Sequence, residues 1–322
     1  MKNRAALTTV MVIGSVWAGS VLAQAYPNKA VRIIVPFPAG GSFDVTSRIL
    51  AQRMGPALGQ NVLVENRPGA GTIIATEYVA RLPADGYTVL VVGPSFVINP
   101  ALRSKLPFDP AKDFKAVSQT IALPMAIAVT PSLPVKSLKD LITLARNRPG
   151  EIAYGTSGPG PSHHLIAEQF ALLTKAQFVH TPYQGGAPAA VATVGGHSPM
   201  LLVNVAEMSP YIKSGKLRLL AVTSPERDDL APNVPTMRES GFPELEAANW
   251  SGMVIATATP AEAVVRLNAE TVRALNLAEV RELLKSQAMH AMPSTPEQFA
   301  ALLRTDAARY AKIAREANVK VD

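Results

Sequence analysis

The chain has 322 residues, of which 48% are hydrophobic and 17% are charged, and its formal net charge is +7. This balance is typical of a globular protein and excludes a disordered one, while the absence of cysteine excludes disulfides, thiolate catalysis and thiolate metal sites. No basic run concentrates the positive charge, so a nucleic-acid partner is not expected. The length fits two domains.

The first 25 residues are predicted to be a cleaved secretory signal peptide rather than part of the fold. Lys2 and Arg4 provide a basic start, residues 5–21 are mostly apolar, and VLAQA supplies the small residues of a cleavage site. An uncleaved membrane anchor is the alternative, but an apolar run of about 17 residues is at the short limit for a membrane span. We therefore expect the mature chain to be secreted and soluble.

After this segment, short apolar runs alternate with helical patterns. The apolar runs predict strands at 31–35, 61–65, 88–92, 126–129, 152–154, 178–181, 200–203, 217–222 and 253–256. Apolar residues that recur every three or four positions predict helices at 44–58, 73–81, 137–146, 164–173, 187–194, 261–275 and 296–317. Such alternation indicates an α/β fold with parallel sheets flanked by helices.

Two proline-rich stretches suggest where the chain divides into domains. Segments 118–134 and 225–248 are irregular, and each is broken by several prolines. The chain is therefore expected to leave the first domain, build a second domain and then return. We predict a first domain from residues 26–125 and 250–322, and a second domain from residues 126–249.

Glycine-rich turns follow several of the predicted strands and precede predicted helices. PAGGSFD, at 38–44, follows the first strand, and similar turns recur at 65–72, 154–162 and 182–188. Glycine lets the backbone approach a ligand closely, and the first turn of a helix offers unpaired N–H groups with a partial positive charge. Because ligands bind at the carboxyl ends of strands in open α/β sheets, these turns are candidate sites for a carboxylate or phosphate.

These turns contain no complete nucleotide-binding or hydrolytic motif. None of them has the Gly-Lys-Ser/Thr of a Walker loop, and His163 stands where a dinucleotide fingerprint requires a third glycine. Ser157 lacks the second glycine of a nucleophile elbow, because that position is Pro159. The sequence therefore predicts no catalytic residues and no cofactor.

The histidine pair at the start of a predicted helix has two interpretations. His163 and His164, with Glu168 one turn further on, could be metal ligands at helical spacing. The alternative, which we favour, is that the pair opens the helix and that Ser162 is its N-cap. Asp44 has a similar interpretation as a first-turn acid favoured by the helix dipole. No metal site is therefore predicted.

From residue 26 onward, the motifs taken in order resemble a known receptor family. They are AYPNKAVRIIVPFPAGGSFDVTSRILA, VLVENRPGAGTIIATEYVA, ADGYTVLVV, NPALRSKLPFDPAKDF, YGTSGPGPSHHLIAEQF, FVHTPYQGGAPAAVATVGG, SGKLRLLAVTSPERDDLAPNVPTMRESGFPELE and TPEQFAALLR. This ordered set resembles the substrate-binding receptors of tripartite tricarboxylate transporters, the Bug-type periplasmic receptors. The resemblance covers the whole predicted mature chain.

The resemblance implies a type II periplasmic-binding-protein fold, in which two α/β domains enclose a ligand cleft and are joined by crossover strands. It also implies a small carboxylate ligand, held largely by backbone amides and water from two loops that match residues 37–44 and 157–164. The ligand-binding residues it implies are Pro38, Ala39, Gly40, Gly41, Phe43, Asp44, Ser95, Thr156, Ser157, Gly158, Gly160, His164 and Asn204.

The chain departs from the family pattern at two places. Pro199 and Val203 stand where aspartate is frequent, and Pro159 and Pro161 stand where asparagine and threonine are common. Loss of an acid beside the cleft would remove repulsion toward a second carboxylate, or would remove a partner for a ligand amine. With the aromatic ring of Phe43 near the first loop, this favours an acid that has no amino group and has an apolar or aromatic body.

The function implied by the resemblance is that of a solute receptor without catalytic chemistry. Such a receptor closes around its ligand and delivers it to the permease subunits of a membrane transporter. We expect a periplasmic monomer. Two alternatives stay open: a sensor that serves a signalling partner, and a secreted hydrolase on the same scaffold, which would need a nucleophile–base pair or a metal cluster at the cleft.

Overall fold

The computed structural model describes residues 26–321, and the predicted signal peptide lies outside these residues. The strands are β1 (Val31–Val35), β2 (Val62–Asn66), β3 (Thr88–Val92), β4 (Phe114–Val129), β5 (Ile152–Thr156), β6 (Phe178–Pro182), β7 (Met200–Asn204), β8 (Arg218–Val222), β9 (Ala248–Ala256) and β10 (His290–Ala291). The helices are α1 (Ser42–Leu58), α2 (Ile73–Ala80), α3 (Ser95–Leu102), α4 (Pro110–Asp113), α5 (Leu138–Asn147), α6 (Ser162–Thr174), α7 (Gly186–Val194), α8 (Val205–Lys213), α9 (Ala261–Leu275), α10 (Ala278–Ser286) and α11 (Pro296–Glu316). No helix within 26–321 is long and apolar enough to cross a membrane.

The strands form two sheets that share β4. The first sheet has the order β2-β1-β3-β9-β4, and β10 pairs with the other edge of β4. In the second sheet, β7 and β8 pair with β4, and β5 lies between β7 and β6. The predicted parallel pairing is confirmed for β1 with β2 and β3, and for β5 with β6 and β7. It is wrong for β4 and β9, because these strands run antiparallel to their neighbours.

Strand β4 passes from one sheet to the other without a break. It pairs with β9 from Phe114 to Pro124 and with β7 from Met125 to Val129. The interpretation of 118–134 as an irregular linker is therefore wrong over residues 118–125, while the strand predicted at 126–129 is confirmed as the end of β4. Pro124 is tolerated because it lies where the strand changes partners, so its missing N–H removes no ladder bond from the middle of a sheet. The predicted domain boundaries stay a prediction, with this change of partners as the point nearest to them.

All seven predicted helices are present, as the regular spacing of their apolar positions indicated. Helix α1 buries Leu50, Met54 and Leu58, which recur every four residues. It ends at Gly59, whose φ of +66° suits a left-handed C-cap. Helix α6 begins at Ser162, and Pro161 is its N-cap, so the predicted capping role of Ser162 is wrong.

Helix α11 closes the fold against the middle of the first sheet. Its Phe299 is fully buried and meets the ring of Trp250 edge-on, with the ring centroids 5.5 Å apart. Trp250 donates its indole N–H to a carboxylate oxygen of Asp306 at 2.6 Å. Trp250 lies in β9 next to Asn249, so this packing fixes a part of the chain from which the candidate site is built.

Candidate functional site

The first predicted loop, residues 37–44, is held in shape by Asp44. The carboxylate of this buried residue accepts hydrogen bonds from the N–H of Gly40 at 2.8 Å, from Nδ2 of Asn66 at 2.9 Å and from Nε of Arg48 at 3.1 Å. Burial alone would raise the pKa of Asp44, but the bonds from Arg48, Gly40 and Asn66 hold it below its ordinary value. Asp44 is therefore an ionised support for the loop, and Arg48 balances its charge.

The tip of this loop is exposed and leads into the backbone donors at the start of α1. Pro38, Ala39, Gly40 and Gly41 are all exposed, and Gly40 needs to be glycine because its φ is +82°. Helix α1 begins directly after Gly41, which is its N-cap and has no capping side chain. As in any helix, the N–H groups of this first turn lack partners within the helix and favour an anion.

Phe43 and Ser95 lie next to the carboxyl end of β3, which is close to the first loop. The ring of Phe43 is buried, meets Phe37 edge-on with centroids 4.5 Å apart, and covers Gly93. A Cβ added at Gly93 would lie 2.7 Å from the Phe43 ring, so only glycine fits there. Ser95 is the first residue of α3 and is partly exposed. Its hydroxyl makes no hydrogen bond with any residue in the range 26–321 and is free to contact a ligand.

Thr156 and Gly158 give the second predicted loop its internal support. The hydroxyl of Thr156 donates to the carbonyl of Gly158 at 3.0 Å and is also 2.7 Å from Nε2 of His180. Thr156 is fully buried, so it supports the loop from the interior of the protein and does not face solvent.

His164 also supports the second loop and does not point toward Ser157. Its Nδ1 accepts the N–H of Gly160 at 3.2 Å, its ring stacks on His180 at 3.9 Å, and its Nε2 lies 3.6 Å from Glu168. Gly160 in turn packs against α3. A Cβ added at Gly160 would lie 2.9 Å from Leu102 in that helix. His164 thus fixes the position of Gly160 against α3.

A chain of four polar side chains runs from Ser157 to β9. The Ser157 hydroxyl lies 2.6 Å from Nδ1 of His163, and Nε2 of His163 lies 3.0 Å from Oδ1 of Asn204. The same Asn204 oxygen accepts Nδ2 of Asn249 at 3.1 Å. His163, Asn204 and Asn249 are buried, whereas Ser157 is partly exposed. The chain therefore links a surface hydroxyl of the second loop to the strand that also carries Trp250.

These four side chains include a nucleophile–base pair of the kind that a hydrolase would need, since Ser157 and His163 are in hydrogen-bond contact. The sequence alone did not reveal this pair. It lacks the properties of a hydrolytic set. Burial lowers the pKa of His163 to about 4, although the hydrogen bond to Asn204 acts to raise it. The imidazole is therefore a weak base at neutral pH. The third member, Asn204, is neutral and cannot stabilise an imidazolium as a carboxylate does.

The two predicted loops converge on the start of β9. From the first loop, Phe43 covers Gly93, and a Cβ added at Gly93 would lie 3.2 Å from the carbonyl oxygen of Trp250. From the second loop, Ser157 is connected through His163 and Asn204 to Asn249, the residue before Trp250. The structure therefore connects Phe43 to Trp250 through Gly93, and Ser157 to Asn249 through His163 and Asn204, at two neighbouring positions of β9.

Sequence reasoning missed three residues of this arrangement: Gly93, His163 and Asn249. Gly93 follows a strand, as the other candidate glycines do, so the same pattern could have included it. The roles of His163 and Asn249 depend on contacts with Asn204, which is 41 and 45 residues away in the sequence. No local spacing signals such contacts.

The prediction that Val203 stands beside the cleft is wrong. Its side chain is fully buried in an apolar cluster with Ala126, Ala190 and Val205. Because side chains alternate along a strand, Val203 and its neighbour Asn204 point to opposite faces of β7. An aspartate lost at this position therefore gives no argument for or against a ligand amine.

Glu207, in the first turn of α8, brings a titratable carboxyl close to the site. Oε2 of Glu207 accepts the backbone N–H of Asn204 at 3.0 Å, and the carboxyl rests directly on the backbone of Gly186. Part of the residue reaches the surface, but this contact encloses the carboxyl itself. Burial therefore raises the pKa of Glu207 to about 7 from its ordinary value of 4.5, despite the hydrogen bonds with Asn204.

We expect Glu207 to make the protein less stable as the pH rises from 4.5 through 7. The folded state holds this proton more tightly than the unfolded chain, so the stabilisation is complete below pH 4.5 and is lost above pH 7. The shift corresponds to about 3 kcal/mol of unfolding free energy. Glu207→Gln should remove this pH dependence, measured by urea unfolding at pH 5 and pH 8, with the exposed Glu226→Gln as control. Parallel losses in the wild type and Glu207→Gln would contradict the assignment.

Four cavities of 740 to 960 Å³ lie elsewhere in the described residues. The first follows α1 and β2, the second lies between Trp250 and the segment 224–229, the third flanks α3, and the fourth flanks α7. None of the four is lined by a predicted ligand-binding residue. We nevertheless place the candidate site at the two loops, because an exposed loop of unpaired donors forms an open site and not an enclosed cavity.

The fold and the loops define a class of protein, and comparison with known proteins defines the family. Two α/β sheets joined by crossing strands, with glycine-rich loops at the carboxyl ends of the strands, form a type II periplasmic-binding-protein fold. Residues 46–319 match the family model described as the tripartite tricarboxylate transporter family receptor. The chain belongs to this family, whose members are solute-binding receptors, so it is a receptor and not an enzyme.

Individual relatives agree with this assignment over nearly the whole chain. Protein BugT of Bordetella pertussis is 36% identical over 306 residues, which cover 94% of each chain. A structure of an R. palustris protein with adipate is 33% identical, with a TM-score of 0.83, over 92% of this chain and 99% of that one. MatC from Rhodopseudomonas palustris, solved with bound malate, is 28% identical, with a TM-score of 0.79, over 89% and 99%.

Proposed function

We propose that this receptor binds a small carboxylate between the loops 37–44 and 157–164 and delivers it to the permease subunits of a tripartite transporter. The observation that carries the proposal is the exposed Gly40–Gly41 tip, which precedes the uncapped first turn of α1. The adipate and malate in the two related structures are small carboxylates of the kind that such a tip would hold.

In this proposal the predicted residues divide into two groups. Backbone N–H groups at the first loop hold the carboxylate, and the side chains of Ser95 and Ser157 orient the rest of the ligand. Asp44, Thr156, His164 and the buried Asn204 act indirectly, because their polar atoms already support the loops or their neighbours. The ligand would thus be recognised mainly by neutral donors and acceptors.

The receptor is further proposed to act as a periplasmic monomer after removal of residues 1–25. Each sheet would form the core of one domain, and ligand binding would bring the two domains together by a hinge motion at β4 and β9. The permease would recognise this closed form. A sensor function differs from this only in the partner protein. N-terminal sequencing of the secreted protein checks the cleavage, and pull-down with the permease subunits, with and without ligand, checks the partner.

A thermal-shift screen tests carboxylate binding directly. We expect one or more mono-, di- or tricarboxylates or aromatic acids to raise the melting temperature by about 5 °C at saturating concentration, because binding stabilises the folded state by mass action. The primary amide of each active acid is the control and should give no shift, since it lacks the anionic group. A protein that responds to none of these acids, or equally to acids and amides, would contradict the proposal.

A further inference from the structure

The hydroxyl of Ser157 has its hydrogen-bonding direction fixed by buried partners. Oδ1 of Asn204 lies 3.1 Å from Nδ2 of Asn249 and 3.0 Å from Nε2 of His163. Because an amide oxygen can only accept, both nitrogens must donate to it, and Nε2 of His163 carries a proton. A neutral imidazole has a single N–H, so its Nδ1 is an acceptor.

The environment of His163 keeps the imidazole neutral. Only 4% of the residue is exposed, and its polar contacts are the uncharged side chains of Ser157 and Asn204. No carboxylate lies within hydrogen-bond distance of its ring among residues 26–321, so no opposite charge stabilises an imidazolium there, and the bond to Asn204 only partly offsets the cost of burial. Ser157 therefore donates its O–H to Nδ1 at 2.6 Å, and the remaining hydrogen-bonding capacity of its oxygen is that of an acceptor.

We propose that His163 is a positioning residue that turns Ser157 into an obligatory acceptor, so that the receptor selects carboxylates carrying a hydroxyl group over those without one. This inference rests on the proposed function and specifies the ligand of the same site. An ordinary serine hydroxyl can donate or accept and would not discriminate. Here a ligand hydroxyl completes the chain by donating to Ser157, which in turn donates to His163.

Other ligand groups fit this acceptor less well. A carboxylate oxygen would face the lone pairs of Ser157, and an apolar group would leave the partly exposed oxygen without a donor. An ammonium group could donate, but His163, Asn204 and Asn249 are neutral and give it no opposite charge. One neutral hydrogen bond gained or lost corresponds to an affinity difference of about tenfold.

The first test compares matched acids by isothermal titration. The pairs are malate with succinate, 3-hydroxybutyrate with butyrate, and 4-hydroxybenzoate with benzoate, and aspartate serves as the amino analogue of malate. We expect the hydroxylated member of the pair that binds to be favoured about tenfold, and aspartate to bind more weakly than malate. Equal affinity within every pair that binds, or aspartate equal to malate, would overturn this inference while leaving carboxylate binding intact. A complete absence of carboxylate binding would overturn the proposed function and this inference with it.

Two substitutions at His163 separate positioning from packing. In His163→Gln the carboxamide can still accept from Ser157 and donate to Asn204, so the hydroxyl preference should largely persist. In His163→Leu the acceptor is gone and Ser157 is free to donate toward the ligand, so the preference should fall to less than twofold. Ser157→Ala, which removes the acceptor itself, should give the same loss and serves if His163→Leu does not fold. An unchanged preference in Ser157→Ala would overturn the inference.

The tautomer of His163 can be measured without a ligand. Long-range ¹H–¹⁵N correlation spectra of the imidazole should show a protonated Nε2 and an unprotonated Nδ1 between pH 6 and pH 8. In Ser157→Ala the same tautomer should persist, because Asn204 determines it. A protonated Nδ1 would overturn the inference, since Ser157 would then accept from His163 and donate to the ligand.

Discussion

Replacement of Gly41 by valine is expected to weaken carboxylate binding at least a hundredfold while leaving the fold intact. The backbone at Gly41 has φ −75° and ψ 164°, an extended conformation that valine adopts easily. An added Cβ would meet only the carbonyl oxygen of Pro38, at 3.5 Å. The branched side chain would instead occupy the space above the unpaired N–H groups of α1, where the proposed carboxylate lies.

The binding measurement is a titration of Gly41→Val with an acid identified in the thermal-shift screen. Gly41→Ala provides a graded comparison, because its single methyl group covers less of the N–H groups and should weaken binding by a smaller factor. The melting temperature of both variants without ligand should stay within about 2 °C of the wild type, since neither contact is tight. If Gly41→Val binds the acid with wild-type affinity, the anion is held elsewhere on the chain.

Replacement of Gly252 by alanine is expected to cost about 3 kcal/mol of unfolding free energy, at the upper end for overpacking a core. Gly252 lies in β9, between β3 and β4, so its backbone cannot withdraw from the sheet. An added Cβ would lie 2.5 and 2.8 Å from Cε1 and Cε2 of Phe299, and closer still to Cζ. Phe299 is fully buried against Trp250, and so its ring has no room to move aside.

Urea unfolding of Gly252→Ala measures this cost. Gly55→Ala, in the last turn of α1, is the matched control and should change stability by less than about 1 kcal/mol, because its nearest contact is at 3.4 Å and alanine favours a helix. The double variant Gly252→Ala with Phe299→Leu should lose less than the sum of the two single variants, because the smaller side chain relieves the overlap. Additive losses would show that the two residues do not clash.

The helices that could be predicted from the sequence are those with a regular apolar face. Helix α9 was predicted at 261–275 and occupies Ala261–Leu275, because its buried positions follow a helical period. Helix α3 was missed because it is apolar on nearly every side, contains Pro100 and shows no periodicity. Helix α8 contains Pro210, which argues against a helix locally, yet its packing against β7 and α7 outweighs that preference.

Strand β4 shows why long-range pairing limits such predictions. Its first part contains Ser118 and Gln119, which suggest a loop when the sequence is considered alone. In the fold, the Ser118 hydroxyl donates to the carbonyl of Ser294 at 3.0 Å, and the N–H of Gln119 donates to the Ser294 hydroxyl at 2.9 Å. These partners are more than 170 residues away in the sequence, and a local pattern cannot reveal them.

The two loops of the candidate site were predictable from the sequence, but the contacts within them were not. Glycine between a strand and a helix marks a place where the backbone is open, and this pattern identified the loops at Gly40 and Gly158. Which side chain faces a ligand depends on the hydrogen bonds that each polar atom has already made. Asp44 and His164 looked equally suited to a ligand, but the structure uses both to hold loops. Ser157 was predicted as a ligand-binding residue, whereas its partner His163 was interpreted as the start of a helix, with a metal ligand as the alternative.

The continuity of β4 also has a consequence for how the molecule comes apart. Residues Phe114–Pro124 complete one sheet, and Met125–Val129 form the centre of the other, between β7 and β8. If either sheet were to dissolve, half of this strand would lose its partners while the other half stayed paired. Neither sheet can therefore unfold without removing packing and pairing partners on which the other sheet depends. Thermal denaturation should proceed as one cooperative event, and the two sheets should not have separate melting temperatures.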